Sequence, residues 1–323
     1  MASCVFVFIR GSIVRPARRI NLLTKTKSSA HIGTVSTHTI HSSTALYCIF
    51  GRPVGHTVSP VMHNAAFREA GIDAVYLAFE PASIEGAMRA MREVGIRGAS
   101  VTIPFKIDAL RHADEVEPLA AKIGSVNTLV NRDGRLAGYN TDGMGAARAL
   151  AEGGVRVEGS TSLVIGNGGS ARAIAATLAE LGARIIITGR NGERIRALAA
   201  AVRGSEPARA LLLEDLDRDF METIDIVVNT TPVGMAPDTG AMPIPDGLLA
   251  PRHAVFDIVY APHTTRLIAA AQARGCVVVH GIEMLIHQGA LQFELWTGRP
   301  APVGVMRRAI FSHLGITDDA RKA

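Results

Sequence analysis

The chain has 323 residues, of which 48% are hydrophobic and 20% charged, which is typical of a globular protein with a substantial core. Its formal net charge of +5 does not indicate a nucleic-acid-binding protein, because six Lys and Arg residues lie in residues 1–44, where there is no Asp or Glu. Without these six, 28 basic residues face 29 acidic ones, so the rest of the chain has no charge excess that would attract polyanions.

Residues 1–44 are rich in Ser, Thr and Arg, and they leave two interpretations open. The composition is typical of an organellar transit peptide, and an over-extended start or a disordered tail would show it as well. We expect a cytoplasmic protein in which residues 1–44 are a disordered or targeting extension. No run in the sequence approaches the roughly 18 apolar residues of a membrane span. Cys4, Cys48 and Cys276 are scattered, which indicates a reducing compartment and predicts neither disulfides nor a metal site.

From residue 47 onward, short apolar runs alternate with segments of helical periodicity. The first helix is expected to begin at Ser59-Pro60, with Ser59 as its N-cap and Pro60 in its first turn. Arg132-Asp133-Gly134 predicts the turn of a hairpin. The pattern therefore predicts a mixed but mostly parallel sheet. We expect its strands at residues 47–50, 74–79, 99–103, 126–130 and 136–139, and its helices at 59–71, 83–95 and from 104.

A connecting helix at 142–153 leads into a second half in which strands and helices alternate regularly. Its strands are near-continuous runs of Val, Ile and Leu, as in a parallel sheet covered on both faces. We predict a doubly wound domain, followed by helices at 284–296 and 303–314 that return to the first domain, and hence a two-domain α/β fold. The strands are expected at 163–165, 185–188, 210–213, 226–229, 255–259 and 277–279, and the helices at 170–181, 193–202 and from 264.

The segment after the strand at 163–165 is glycine-rich and fits the dinucleotide fingerprint G-x-G-x-x-A. The first glycine allows a tight turn, the second lets the backbone approach a pyrophosphate, and the alanine allows close packing of the helix on the strand. Free N–H groups at the helix start would face the phosphates. We therefore predict a Rossmann-type domain with a cofactor-binding loop formed by Gly166, Asn167, Gly168, Gly169, Ser170 and Ala171.

The end of the following strand indicates which dinucleotide binds. NAD-dependent enzymes usually have Asp or Glu about 20 residues after the glycines, where it binds the ribose hydroxyls. This chain has Arg190, 22 residues after Gly168, followed by Asn191 and Arg194. Two guanidinium groups on one helix face suit a 2′-phosphate, so the pattern predicts NADP(H), although two solvated surface arginines would show the same spacing.

Polar stretches in the first half contain two candidate functional residues, Lys106 and Asp142. Lys106 is expected at the start of a helix, where the helix dipole disfavours a cation. Asp142 lies at the junction of the two expected domains, where ligand clefts tend to form. The local alternatives are a lysine that extends into solvent and an aspartate that caps its helix. A third stretch, residues 51–60, has the hydroxyl groups of Thr57 and Ser59 in a loop between a strand and a helix.

Together these stretches resemble the shikimate dehydrogenase family. Further blocks at residues 125–128, 229–235, 257–260 and 281–288 are similar to blocks of that family in the same order. The resemblance implies the reversible, NADP-dependent reduction of 3-dehydroshikimate to shikimate, an oxidoreductase step of the shikimate pathway towards chorismate and aromatic amino acids. It also implies a substrate-binding catalytic domain at 45–142, an NADP-binding domain at 143–280 and C-terminal helices at 281–323.

The resemblance implies roles for individual residues. Lys106 and Asp142 would relay a proton while NADPH supplies hydride. Most of the family has Ser at the position of Thr57, and the added methyl group could shift the preference toward quinate. One alternative that stays open is a quinate/shikimate or aminoshikimate dehydrogenase of the same fold. Another, of a different class, is a module that senses NADPH without turnover. The implied substrate-binding residues are Thr57, Ser59, Thr102, Asn127, Tyr260 and Gln288, and the further cofactor contacts are Thr230, Gly281 and Met284.

The histidines His56, His63 and His280 are expected to be structural, because their spacing does not match a metal site and the family resemblance assigns them no role. The expected partners are the small-molecule substrate and NADP(H). We expect neither a nucleic acid nor a membrane as a partner, and a homodimer stays open.

Overall fold

The computed structural model describes residues 39–316. Most of the extension expected at 1–44 lies outside the described residues, and so do residues 317–323. None of the helices within 39–316 is long and apolar enough to cross a membrane.

The first half of the described chain forms a six-stranded mixed sheet with its helices. Its elements are β1 (Ala45–Phe50), α1 (Ser59–Glu69), β2 (Ala74–Phe79), α2 (Ile84–Glu93), β3 (Gly98–Val101), α3 (Lys106–His112), β4 (Glu115–Val116), α4 (Pro118–Ile123), β5 (Thr128–Arg132), β6 (Arg135–Tyr139) and α5 (Asp142–Glu152). The strand order is β2-β1-β3-β5-β6-β4, in which β5 runs antiparallel to both β3 and β6. The hairpin predicted at Arg132-Asp133-Gly134 is present, and its turn has two residues, since Arg132 pairs with Arg135. Asp133 and Gly134 both have positive φ, at 51° and 90°, as such a turn requires.

The second half forms a six-stranded sheet in which every pairing is parallel. Its elements are β7 (Thr161–Ile165), α6 (Gly169–Glu180), β8 (Arg184–Gly189), α7 (Gly192–Ala201), β9 (Arg209–Leu212), α8 (Arg218–Met221), β10 (Ile226–Asn229), β11 (Ala254–Asp257), α9 (Arg266–Ala273), β12 (Val277–His280), α10 (Gly281–Thr297) and α11 (Val303–Leu314). The strand order β12-β11-β10-β7-β8-β9 reverses direction between β7 and β10. This is the Rossmann order, and ligands bind at the carboxyl ends of the strands beside such a reversal.

The last two helices return to the first domain, as predicted. Ile286 and Phe293 of α10 and Ile310 of α11 are buried in one cluster with Tyr47 of β1 and Phe67 of α1. Burial of these apolar side chains is the main force that holds the C-terminal segment on the first sheet.

The helices α5 and α10 cross very closely, and a glycine makes this approach possible. A Cβ atom on Gly145 would lie 2.7 Å from the Cβ of Gln288 and 2.8 Å from its backbone nitrogen. The helix α5 connects the first sheet to the second, and α10 runs from the last strand of the second sheet onto the first domain. Their contact therefore fixes how the two domains are joined.

Two predicted element ends were wrong, and two short helices were missed. Ser59 is the first residue of α1 rather than its N-cap, a position held by Val58. The strand predicted to reach residue 103 ends at Val101, because Phe105 N donates to Thr102 O in a turn. The short helices α4 and α8 had not been predicted, since six and four residues are too few to show a helical period.

Candidate active site

Lys106 and Asp142, the predicted catalytic pair, are in direct contact. Lys106 Nζ lies 2.5 Å from Asp142 Oδ2, and only 16% and 7% of the two side chains are exposed. Each is the first residue of its helix, α3 and α5, and the preceding residues Phe105 and Thr141 occupy the cap positions. The carboxylate of Asp142 is therefore directed at the ammonium group of Lys106 instead of capping its own helix.

The orientation of the Asp142 carboxylate is set by its neighbours. Asn127 Nδ2 donates to Asp142 Oδ1 at 2.7 Å, and Asn140 Oδ1 accepts from the backbone nitrogen of Asp142 at 3.1 Å. The Asn127 side chain is fixed in turn, because its Oδ1 accepts from the backbone N–H of Thr141 at 2.8 Å. Both oxygens of Asp142 thus have a donor, one from Asn127 beside the sheet and one from Lys106.

A cavity of about 440 Å³ opens beside this pair. Within it Thr57 Oγ1 donates to Ser59 Oγ at 3.1 Å. Burial raises the pKa of the Tyr260 phenol, so this group stays a hydrogen-bond donor. Hydroxyl, amide and phenol groups around an ammonium group suit a small hydroxylated carboxylate. All of the residues predicted to bind substrate line this cavity, namely Thr57, Ser59, Thr102, Asn127, Tyr260 and Gln288.

A larger cavity of about 790 Å³ lies at the carboxyl ends of β7, β8 and β10. Among the described residues, no side chain caps the start of α6 at Gly168, so its first N–H groups are available to an anion. Gly166 has φ of +119°, and a Cβ there would lie 2.6 Å from Thr230 Oγ1, so only glycine fits. The predicted cofactor residues that line this cavity are Gly166, Asn167, Gly168, Gly169, Ser170, Arg190, Asn191, Arg194 and Thr230.

Three of the residues predicted to bind the cofactor lie elsewhere. Ala171 is fully buried in the core between α6 and the second sheet, as expected for the packing position of the fingerprint. Gly281 and Met284 line the smaller cavity. The described chain therefore brings the glycine loop and the arginines together, and it places the start of α10 on the substrate side.

Arg190 and Arg194 are exposed at the rim of the larger cavity. Asn191 lies between them and caps α7, since its Oδ1 accepts from the backbone nitrogen of Arg194 at 3.0 Å. Two guanidinium groups at the end of β8 form the positive environment that a 2′-phosphate requires.

The two cavities meet at Lys106. Thr102, Ile103, Lys106 and Ser170 line both of them. A dinucleotide bound along the glycine loop would therefore approach a molecule in the smaller cavity at the position of the Lys106 ammonium group. This arrangement fits hydride transfer combined with proton transfer.

A buried aspartate that sequence reasoning had not assigned connects the loops on the second domain. Asp257 accepts from Asn229 Nδ2 at 2.9 Å, from Thr265 Oγ1 at 2.6 Å and from Val259 N at 3.0 Å. Burial raises the pKa of Asp257, and these hydrogen bonds oppose that rise. The sequence signal was a polar residue at the end of each of two adjacent apolar strands. Asp257 links the loop after β10 to the loop that carries Tyr260.

A second polar cluster lies at the far end of α5. Potential metal-ligand atoms of Glu152, Glu283 and His287 lie within 4.8 Å of one another. The guanidinium group of Arg307 already bonds both carboxylates, at 2.6 Å to Glu152 and 2.5 Å to Glu283. We interpret this cluster as ion pairs that join α5, α10 and α11.

The histidines expected to be structural differ in their surroundings. His63 is fully buried and stacks on Tyr76, with ring centroids 4.5 Å apart. His280 stacks on His263 at 4.2 Å. His56 is exposed and lines the smaller cavity, where no sequence argument had placed it.

A Rossmann-type domain whose cofactor cavity meets a polar cavity at a lysine–aspartate pair defines a two-domain, dinucleotide-dependent oxidoreductase. Family models match three parts of the chain: the shikimate dehydrogenase substrate binding domain at residues 49–129, shikimate / quinate 5-dehydrogenase at 148–234, and the shikimate 5'-dehydrogenase C-terminal domain at 281–311. The chain belongs to the shikimate dehydrogenase family.

Individual relatives extend this match over most of the chain. The shikimate dehydrogenase (NADP(+)) of Moorella thermoacetica is 43% identical over 282 residues, which cover 85% of this chain and 96% of that protein. The corresponding protein of Symbiobacterium thermophilum is 45% identical over 274 residues, covering 82% and 93%. The structure of shikimate 5-dehydrogenase from Thermus thermophilus in complex with NADP(H) and shikimate superposes with a TM-score of 0.76 at 37% identity, covering 82% of this chain and 98% of that one.

Proposed function

We propose that this chain catalyses the reversible, NADP-dependent reduction of 3-dehydroshikimate to shikimate. The observation that carries the proposal is the Lys106–Asp142 contact at the point where the glycine-loop cavity and the polar cavity meet. The relatives named above bear the name of this activity. A sensing module without turnover would have no need of a buried acid–base pair at this place.

Lys106 is the proton donor in this proposal. When bound, NADPH supplies the hydride that reduces the carbonyl carbon of the substrate. Lys106 Nζ donates a proton to the carbonyl oxygen as negative charge develops there, and in the oxidation direction it receives that proton back. Asp142 Oδ2 holds Nζ in place through their hydrogen bond.

The polar side chains of the smaller cavity would bind the rest of the substrate. Thr57 and Ser59 present paired hydroxyls that suit a carboxylate, and Asn127 and Gln288 offer amide groups to the ring hydroxyls. Thr102 and Tyr260 complete the wall. A site that hydrogen-bonds each hydroxyl rejects analogues that lack one, because its buried polar groups are then left unpaired.

The larger cavity would bind NADP(H) by three features of this chain. The uncapped start of α6 would face the pyrophosphate, the glycines at 166, 168 and 169 would leave room for it, and Arg190 and Arg194 would bind the 2′-phosphate. Gly281 and Met284 would contact the nicotinamide end from the substrate side.

A panel of two substrates and two cofactors tests the proposal. Purified protein is mixed with shikimate or quinate and with NADP or NAD, and formation of the reduced cofactor is followed by absorbance. We expect shikimate with NADP to give the highest kcat/KM. Faster turnover of quinate would make the chain a quinate dehydrogenase, and tight NADPH binding without turnover of either substrate would make it a sensor.

Domain limits, assembly and location belong to the same proposal. The substrate-binding domain would cover residues 45–142, the NADP-binding domain 143–280 and the returning helices 281–323. A cytoplasmic location agrees with Cys48 and Cys276, which are buried and form no disulfide within residues 39–316. A homodimer would appear as twice the chain mass in sedimentation equilibrium.

A further inference from the structure

A line of buried polar side chains crosses the core of the first domain and ends at Asp142. Its members come from β2, β3, α10 and the start of β5, elements that are far apart in the chain, and each is at most 6% exposed. Buried polar groups are costly unless they are hydrogen-bonded, so a continuous line of them in an apolar core calls for an explanation. The members are Tyr76, Ser100, Gln292, Thr128 and Asn127.

The first half of this line runs from Tyr76 to Thr128. Tyr76 Oη donates to Ser100 Oγ at 2.6 Å, and Ser100 Oγ donates to Gln292 Oε1 at 2.7 Å. Gln292 Nε2 donates to Thr128 Oγ1 at 3.0 Å. In each link the acceptor of one bond is the group that donates the next.

The second half runs from Thr128 to the carboxylate. Thr128 Oγ1 donates to Asn127 Oδ1 at 2.7 Å, and Asn127 Nδ2 donates to Asp142 Oδ1 at 2.7 Å. The backbone N–H of Thr141 also donates to Asn127 Oδ1, which fixes the amide with its NH₂ group toward Asp142. Each bond of the line is therefore donated in the direction of Asp142, while Gln292 Nε2 also donates to Asn127 O at 3.3 Å and Asn127 Nδ2 also donates to Thr141 Oγ1 at 3.0 Å.

The charge on Asp142 explains this common direction. An ionised carboxylate only accepts hydrogen bonds, so Asn127 must present its NH₂ group to it. The Asn127 oxygen can then only accept, and it does so from Thr128 Oγ1 and from the Thr141 N–H. The same reasoning applies at each earlier link back to Tyr76. Hydrogen bonds arranged donor-to-acceptor in series polarise one another and strengthen the last bond of the line, here the bond to the carboxylate.

We infer that Thr128 and Gln292 are positioning residues for the proposed reaction, because they hold the Asn127 amide in the orientation that aligns Asp142 on Lys106. This inference rests on the proposed function of the Lys106–Asp142 pair. Thr128 is the more informative position, because it is fully buried and acts only through its neighbours. Gln292, by contrast, also lines the smaller cavity.

The test replaces Thr128 by Val, which keeps the shape and removes the hydroxyl group in the middle of the line. Gln292 Nε2 and Asn127 Oδ1 then each lose one partner. The Thr141 N–H still donates to Asn127 Oδ1, so the Asn127 amide keeps its orientation but is held less firmly. We expect kcat for shikimate oxidation to fall by about tenfold, as the loss of one buried hydrogen bond that orients the catalytic carboxylate would produce. KM for NADP should stay within about twofold, because the cofactor cavity is formed by the other domain and by α3.

Two further variants make the test specific to the line of hydrogen bonds. Thr128→Ser restores a hydroxyl and should recover most of the lost kcat. Trp296→Phe is the matched control, since Trp296 Nε1 on α10 also donates to β5, at Leu129 O and 3.0 Å, outside the line. It should lower the melting temperature without lowering kcat.

The outcomes separate the inference from the proposed function. A wild-type protein that does not oxidise shikimate ends the proposed function. If the wild type is active, three results overturn the inference. The first is an undiminished kcat in Thr128→Val, and the second is an equal loss of kcat in Thr128→Ser and Thr128→Val. The third is a loss of kcat in Trp296→Phe equal to that in Thr128→Val. If Thr128→Val does not fold, Gln292→Met breaks the line one link earlier, and wild-type kcat in that variant overturns the inference as well.

Discussion

Lys106 Nζ lies 2.5 Å from Asp142 Oδ2, and this contact joins the start of α3 to the start of α5. Substitution of Lys106 by Ala removes the proposed proton donor from the place where the two cavities meet. We expect kcat to fall by about 100-fold or more while both KM values change by a few-fold, because general acid catalysis acts mainly in the transition state. Steady-state kinetics with shikimate and NADP measure this. Lys122→Ala, which removes an exposed ammonium group paired with Glu180, is the control for the loss of a positive charge. A kcat within a few-fold of wild type in Lys106→Ala would contradict the role of Lys106 as proton donor.

The arginines at the end of β8 should determine the choice of cofactor. Replacing Arg190 and Arg194 together by Ala removes two charge-assisted contacts to a 2′-phosphate, so we expect KM for NADP to rise by about 10- to 100-fold. KM for NAD should change little, since NAD has no such phosphate. Arg196→Ala serves as the control, because Arg196 is exposed on the same helix. Equal effects on both cofactors would show that the arginines only support the loop.

The close crossing of α5 and α10 predicts a loss of stability in Gly145→Ala. The new methyl group would meet the Gln288 backbone at 2.8 Å, so the helices must separate. We expect the free energy of unfolding to fall by about 1–2 kcal/mol, since overpacking outweighs the better helix propensity of Ala. Urea denaturation measures this. In Gly304→Ala, where the nearest atom is Arg308 Nη1 at 3.5 Å on an exposed helix surface, we expect no loss.

The buried His63 predicts a specific dependence of stability on pH. Burial lowers the pKa of His63 to about 3, and neither of its ring nitrogens has a hydrogen-bond partner among the described residues. The unfolded chain takes up the proton below about pH 6.5 and the folded protein does not, so this contribution to stability is complete above pH 6.5 and is lost as pH falls toward 3. The slope is about 1.4 kcal/mol per pH unit.

Urea titrations at pH 7 and pH 5 measure this contribution as a difference between proteins. His63→Leu should narrow the gap between the two stabilities by about 2 kcal/mol relative to wild type, whatever other groups add. His313→Gln, which alters an exposed histidine on α11, should leave the gap unchanged. A wild-type gap that persists in His63→Leu would mean that other groups cause the acid sensitivity.

Much of the fold could be read from local patterns along the chain. The Val, Ile and Leu runs of the second half predicted its parallel strands, and β10 and α11 have the predicted limits. The glycine loop was recognisable because positive φ at Gly166 and an uncapped helix start are local requirements. Arg190 could be placed at the rim of the larger cavity from its spacing in sequence, 22 residues after Gly168. In each case the interacting parts are neighbours in sequence, so periodicity and turn chemistry contain the information.

Tertiary structure decided how closely the distant polar groups meet, including the Lys106–Asp142 pair that the family resemblance had implied. Lys106 and Asp142 are 36 residues apart and Thr128 and Gln292 are 164 residues apart, and their separations of 2.5 and 3.0 Å depend on how α5 and α10 pack on the first sheet. A buried Ser100 or Gln292 shows in sequence only as a polar residue within an apolar run. The hydrogen-bond partner of each such residue depends on which groups lie within bonding distance in the assembled core, because a buried polar group without a partner is costly. Those groups come together only when distant segments of the chain pack against one another.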